Sequence, residues 1–234
     1  MVNAKLGAKI EAIMNIRNLV VEFIGTFALI FIGAGALAIN QANLVGVALA
    51  HGLVIVAFAY AYGHISGTHI NPAVTFGLLV AGEIRFGAAI GYWIVQFAGG
   101  ILGAYVLKGV LPVNGDLGVT ILATNVTPLS GLIVETILTF FLVNTIFNTA
   151  VSGKAGNFAG LAIGLTLVLC ILMGGPLTRA SLNPARTLGP AIAAGAEHAQ
   201  WGNIWLYFIG PFIGAMLAAL LYIGILKDKD AETE

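Results

Sequence analysis

Residues 71–82 read NPAVTFGLLVAG, an apolar stretch about half the length of the ~20 residues a helix needs to cross a bilayer. Asn is a good helix N-cap. Pro at the first helical position loses nothing, because the N–H it lacks would be unpaired there. The stretch therefore predicts a short helix that begins at Asn71–Pro72. Just before it, GHISGTHI (63–70) gathers two His, a Ser and a Thr. A second such piece, NPARTLGPAIAAG from Asn183, follows GGPLTRASL (174–182).

The rest of the chain sets the surroundings of these two pieces. Of its 234 residues 59% are hydrophobic and 9% charged, against about 45–50% and about 25% in soluble domains. Such a composition excludes an ordinary soluble protein. The formal net charge is zero, so no nucleic acid or acidic surface is implied as a partner. Cys170 is the only cysteine, which excludes an intrachain disulfide. Six apolar runs are long enough to span a bilayer, roughly 19–39, 44–62, 87–107, 129–149, 157–174 and 203–226. One short NPA piece falls between the second and third runs, the other between the fifth and sixth. Residues 1–16 read as a cytoplasmic tail rather than a signal peptide, and residues 227–234 as a second cytoplasmic tail. With both termini inside, Lys5, Lys9, Arg17, Arg85, Lys154, Lys227 and Lys229 are cytoplasmic, and only Lys108, Arg179 and Arg186 lie outside or within the membrane.

The chain is also written twice. VEFIGTF (21–27) returns as VETILTF (134–140), 113 positions later. Gly52, Gly63, Asn71, Pro72, Ala73 and Gly77 return as Gly164, Gly175, Asn183, Pro184, Ala185 and Gly189, all 112 positions later, and YWIVQF (92–97) faces YFIGPF (207–212). Each repeat, about 17–112 and about 129–226, holds three spans and one half-length helix. Three is odd, so the second repeat enters the membrane inverted, and the two short helices point at each other near the midplane. The expected fold is an all-α membrane protein, a single transmembrane domain over 17–226 with six transmembrane helices and two re-entrant half-helices. The stretches GHISGTHI and GGPLTRASL are expected to be unwound. At membrane depth such backbone is tolerated only when packed in protein or lining a water-filled cavity, and its carbonyls, with two positive helix ends, would offer a polar path. Glu22 and Glu135, in the repeated V-E frame, are intramembrane carboxylates, which face the bundle interior and hold partners. Bracing of the two loops is the expected role, a proton or ion relay its rival. Gly pairs at GGILG (99–103), GLAIG (160–164) and GPFIG (210–214) have the spacing of close helix packing.

With its paired motifs SGTHINPAVT and NPARTLGPA, the chain resembles the aquaporin (major intrinsic protein) family over about residues 17–226. The resemblance implies a right-handed bundle, a homotetramer with one pore per protomer, and passage of water or small neutral solutes without a cofactor. It marks Asn71, Pro72, Ala73, Asn183, Pro184 and Ala185 as the central pore motif. Carbonyls of Gly67, Thr68, His69, Ile70, Arg179, Ala180 and Ser181 are the acceptor ladder it implies. Its four constriction positions fall on His51, Ile171, Ala180 and Arg186. That set departs from the Phe, His, small and Arg pattern of strict water channels and is similar to plant tonoplast intrinsic proteins, which also pass ammonia, urea or hydrogen peroxide. Thr187 after Arg186, in place of Asp, together with Tyr207–Phe208 in the last span, resembles the water-type branch rather than the glycerol type.

Other classes fit less well. An alternating-access transporter can also use inverted repeats, but no Na⁺ or H⁺ site is apparent. No set of residues for a membrane enzyme presents itself, and His64 with His69 fits no zinc spacing. Both histidines are expected to brace their loop, and Cys170 to point into packing. The location expected from the short loops is the cell (plasma) membrane.

Overall fold

The computed structural model describes residues 15–39, 42–111 and 115–227. Most of the two tails (1–14 and 228–234) lies outside the described residues. Among the described residues six helices are long and apolar enough to cross a bilayer: α1 Ile16–Ala38, α2 Leu44–Ser66, α4 Phe86–Val110, α5 Pro128–Val151, α6 Gly156–Thr178 and α8 Trp201–Leu226. Between them stand the short helices α3, Pro72–Val80, and α7, Pro184–Ala194.

Local signals explain these boundaries. Asn43 caps α2, its Oδ1 accepting from Gly46 N–H at 2.9 Å, and Thr127 caps α5 from Ser130 N–H at 3.1 Å, with Pro128 at the first position. Asn71 and Asn183 cap α3 and α7 through Ala73 N–H (2.8 Å) and Ala185 N–H (2.9 Å). At the other end of α7, Lys108 of α4 donates from Nζ to the Ala193 carbonyl at 2.8 Å, a cation at a helix C-terminus.

The expected unwinding of 63–70 and 174–182 is corrected. Helix α2 continues through Gly63–Ser66, and α6 through Gly174–Thr178 despite Pro176. The i→i−4 bonds keep closing up to Gly67 N–H to Gly63 O (3.0 Å) and Arg179 N–H to Gly175 O (3.1 Å). What stops each helix is a left-handed residue, Gly67 at φ 81° and Arg179 at φ 60°. Of these stretches only 67–70 and 179–182 lie outside the helices. Within them Thr68 and Ile70 take φ 50° and 40°, and Ala180 and Leu182 take 42° and 54°. Each such conformation costs on the order of 1–3 kcal/mol in a residue with a side chain, so something must hold these loops.

The packing follows the repeat. Helix α2 crosses α6 where Gly52 meets its mate Gly164; a Cβ on either would sit 2.5 Å from the other's carbonyl oxygen. Gly99 and Gly103 bring α4 onto the α1 backbone at Phe23 and Phe27. Gly210 and Gly214 bring α8 onto α5 at Leu132 and Thr136. These close approaches leave the two loops enclosed at the centre of the bundle.

Candidate functional site

The caps of the short helices are also the junction between the repeats. Each Asn spends its Oδ1 on its own helix and donates from Nδ2 to the opposite loop: Asn71 to Leu182 O at 2.8 Å, Asn183 to Ile70 O at 3.0 Å. An amide NH₂ has two hydrogens, so each Asn keeps one for the cavity that both line. Pro72, Ala73, Pro184 and Ala185 are buried beside them and belong to the helix starts.

The left-handed loops are held by the two carboxylates. Glu22 is fully buried and accepts from Ser66 Oγ (2.7 Å), His69 N–H (2.9 Å), Ile70 N–H (2.6 Å) and Gln96 Nε2 (2.8 Å). Glu135, also fully buried, accepts from Thr178 Oγ1 (2.7 Å), Ser181 N–H (2.9 Å) and Leu182 N–H (2.8 Å). Bonds to a charged acceptor are roughly twice as strong as neutral ones, which offsets both the strained backbone and the desolvation of the carboxylate. Two tyrosines complete the brace: Tyr92 donates to Ser66 O at 2.8 Å and Tyr207 to Thr178 O at 3.0 Å. Sequence reasoning missed Ser66, Thr178, Gln96 and both tyrosines. Ser66 and Thr178 stand 112 positions apart, and the tyrosines open the repeated YWIVQF and YFIGPF, so a signal for each pair was present.

Five of the seven residues expected for the ladder line the two cavities. Ile70, whose carbonyl accepts from Asn183 Nδ2, and Arg179, whose side chain reaches residues 116–119, are not among the residues that line the central cavity. Leu182, which was not expected, does line it, along with Thr68, His69, Ala180 and Ser181. Gly67 lines the adjoining inner cavity.

His51, Ile171, Ala180 and Arg186 all line this cavity and none lines its neighbour, so the end they form is termed the outer one and the neighbour the inner one. His51 Nδ1 lies 2.9 Å from Val47 O, which can only accept, so Nδ1 carries the proton and Nε2 presents a lone pair. Its ring lies against Gly33, where a Cβ would come within 2.6 Å of Cδ2. Gly33 sits in a π-helical turn of α1, Leu29–Ala34. Arg186 is 1% exposed and donates from Nη1 to Gly118 O at 2.6 Å. Its Nε and His51 Nε2 have no protein partner. The outer end thus combines fixed positive charge, unused donors, one acceptor and an apolar wall from Ile171. Thr187 joins this end to residues 115–122 through Thr120 (2.9 Å) and to the second loop through Ser181 (2.6 Å).

Inward, the cavity runs into a second one that shares Ile55, Thr68, His69, Val74, Ile146 and Ile163 with it and reaches Glu83. The two cavities therefore abut, and both Asn residues line the first. His69 faces it with Nδ1 3.1 Å from Thr75 Oγ1 and its ring edge-on to Tyr92, whereas His64 is exposed. Cys170 is buried, its Sγ 3.5 Å from Leu138 O.

Residues 9–222 match the family model described as major intrinsic protein. A probable aquaporin of Arabidopsis thaliana, TIP3-2, is 42% identical over 227 residues, covering 89% of this chain and 83% of the relative. The glycerol uptake facilitator protein-like 6 of Lactiplantibacillus plantarum is 41% identical over 209 residues, covering 87% and 95%. The X-ray structure of the aquaglyceroporin from Plasmodium falciparum superposes with a TM-score of 0.79 over 92% of this chain and 98% of that one, at 24% identity, a likeness of fold.

Proposed function

The chain belongs to the major intrinsic protein family, a family of passive channels rather than enzymes, and on that premise we propose that it conducts water and small neutral solutes while excluding protons and ions. Ammonia, urea and hydrogen peroxide are the solutes the proposal names beside water. The observation that carries it is the cavity lined by two crossed asparagine amides together with His51, Ile171, Ala180 and Arg186. A water that accepts from both free Asn donors cannot also accept from its neighbours, which interrupts proton relay. The facing N-termini of α3 and α7 and the guanidinium of Arg186 repel cations. Carbonyls of Gly67, Thr68 and His69 on one side and of Ala180 and Ser181 on the other act as acceptors.

A glycerol-type facilitator is the second reading, favoured by the glycerol uptake facilitator-like relative. Against it stand Thr187, whose hydroxyl bonds hold Arg186's neighbour in place, and Tyr207, locked on Thr178 O. The proposal includes a homotetramer in the cell membrane with both termini cytoplasmic, supported by the family and by the Lys and Arg distribution.

Stopped-flow light scattering on proteoliposomes tests it. Water permeability well above empty vesicles, urea flux above background, low glycerol flux and no proton leak are expected. Permeability equal to empty vesicles would sink the channel reading, and glycerol flux matching that of urea would favour the second one.

A further inference from the structure

The two loops start on the same backbone but not the same side chain. Gly67 opens the first at φ 81°, and its mate 112 residues on, Arg179, opens the second at φ 60°. A left-handed residue with a Cβ costs roughly 1–2 kcal/mol that glycine avoids, so arginine here works against its own backbone. Its side chain leaves the loop and reaches the segment that joins the repeats. Nη1 donates to Asp116 Oδ2 at 2.5 Å and to Val119 O at 3.0 Å, with the two side chains 26% and 32% exposed. The other Asp116 oxygen, Oδ1, accepts from Gly118 N–H at 3.0 Å. The Gly118 carbonyl, on the next peptide, is the acceptor of Arg186 Nη1. An unbroken chain of bonds therefore runs from Arg179 through Asp116 and Gly118 to Arg186. The segment cannot retreat on its other side, because Gly118, at φ 69°, packs directly on the Ala34 backbone of α1.

We propose that Asp116 and Arg179 are positioning residues for the constriction: they clasp residues 116–119 so that the Gly118 carbonyl holds the Arg186 guanidinium in place and sets the aperture. The inference rests on Arg186 being part of the constriction, as proposed above. It accounts for arginine at a position where the backbone favours glycine. The clasp has no equivalent at the first loop, where Gly67 has no side chain to reach out.

Arg179→Gly is the decisive variant, because it installs the residue of the symmetric position, relieves the left-handed strain and should fold. In proteoliposomes the urea-to-water permeability ratio is expected to rise about fivefold, or ~1 kcal/mol at about 1.4 kcal/mol per tenfold. Asp116→Ala should do the same and the double variant no more, since both break one chain. Arg179→Lys, which keeps the charge and can reach Asp116, should restore most of the wild-type ratio. A purely structural role would lower water and urea flux together and leave the ratio unmoved; that result overturns the clasp, as does an unchanged ratio at wild-type water flux. Arg186→Val run alongside separates the two readings. If it shifts the ratio and Arg179→Gly does not, only the clasp fails. If Arg186→Val leaves the ratio unchanged in a protein that conducts water, the constriction reading fails and the clasp with it.

Discussion

In the first half of the chain, Glu22 collects Ser66 and the amides of His69 and Ile70; in the second, Glu135 collects Thr178 and the amides of Ser181 and Leu182. Each donor of one set lies 112 residues from its counterpart, and both loops are left-handed at their first, second and fourth positions. The likeness ends at the walls. His51, Ile171, Ala180 and Arg186 have as repeat mates Ile163, Ala59, Thr68 and Val74, all of which line the inner cavity. One end of the path carries a guanidinium and an imidazole; at the other the equivalent places hold two branched aliphatics, an alanine and a threonine. The backbone that bends the chain into the membrane is needed twice, because each half must present its helix end at the midplane. A charged ring is needed once. A second in series would strip solutes again and slow release, and conduction requires sites that bind weakly enough to leave.

The shared part of this comparison is the most costly to break. Removing either carboxylate strands buried amides that hold strained backbone, and each unsatisfied buried group costs about 1–3 kcal/mol. Glu135→Ala should abolish water flux and lower unfolding stability by roughly 2–4 kcal/mol, measured by tryptophan fluorescence on heating in detergent. Glu22→Ala should cost more, since Glu22 also binds Gln96 of α4, whereas the position 115 residues after Gln96 is Pro211. Wild-type flux and stability in either variant would mean that the loops hold themselves.

Much of this architecture was legible because it rests on local rules or on repetition. Asn71–Pro72 and Asn183–Pro184 announce helix starts through capping chemistry, and two buried carboxylates in one frame demand partners. What escaped the sequence depends on φ or on contacts between distant segments. Gly63 in GHIS and the Gly-Gly-Pro of GGPLT are residues that break helices elsewhere, which sets the expected ends too early, and the true stop at Arg179 is an arginine in a glycine's conformation. The bond to the Ile70 carbonyl escaped because its donor, Asn183, lies 113 residues away. Gly118 was invisible, since 115–127 has no periodicity and the glycine's value lies in where its carbonyl ends up.

The unshared part can be erased. Arg186→Val gives the outer wall the residue of its mate Val74 and frees the Gly118 carbonyl. Urea and glycerol permeability relative to water should rise about tenfold, ~1.4 kcal/mol of barrier. Proton conductance, followed with a pH dye inside the vesicles, should stay low because both asparagines and both helix N-termini remain. Proton leak appearing together with solute flux would move the proton barrier from the midplane to the outer end and undo the division of labour drawn above.

The smallest change concerns the space behind His51. Its ring rests on Gly33, and the equivalent of Gly33, 113 residues on, is Ile146, which lines the path itself. The outer end keeps a hollow for a ring where the inner end fills it with a branched side chain. A methyl at Gly33 would meet His51 Cδ2 at 2.6 Å and Nε2 at 2.9 Å. The ring is tied to α2 through Nδ1 and Val47 O, so it can yield only by tipping into the cavity. Gly33→Ala should therefore lower water and urea permeability by about threefold, ~0.7 kcal/mol at about 1.4 kcal/mol per tenfold, with little change in unfolding temperature. Adding His51→Ala should restore flux, because the obstruction is the ring and not the new methyl. Were Gly33→Ala to conduct normally, or the double variant to stay slow, His51 would not border the aperture, and Arg186 would be the one ionisable side chain that sets the outer wall apart from the inner one.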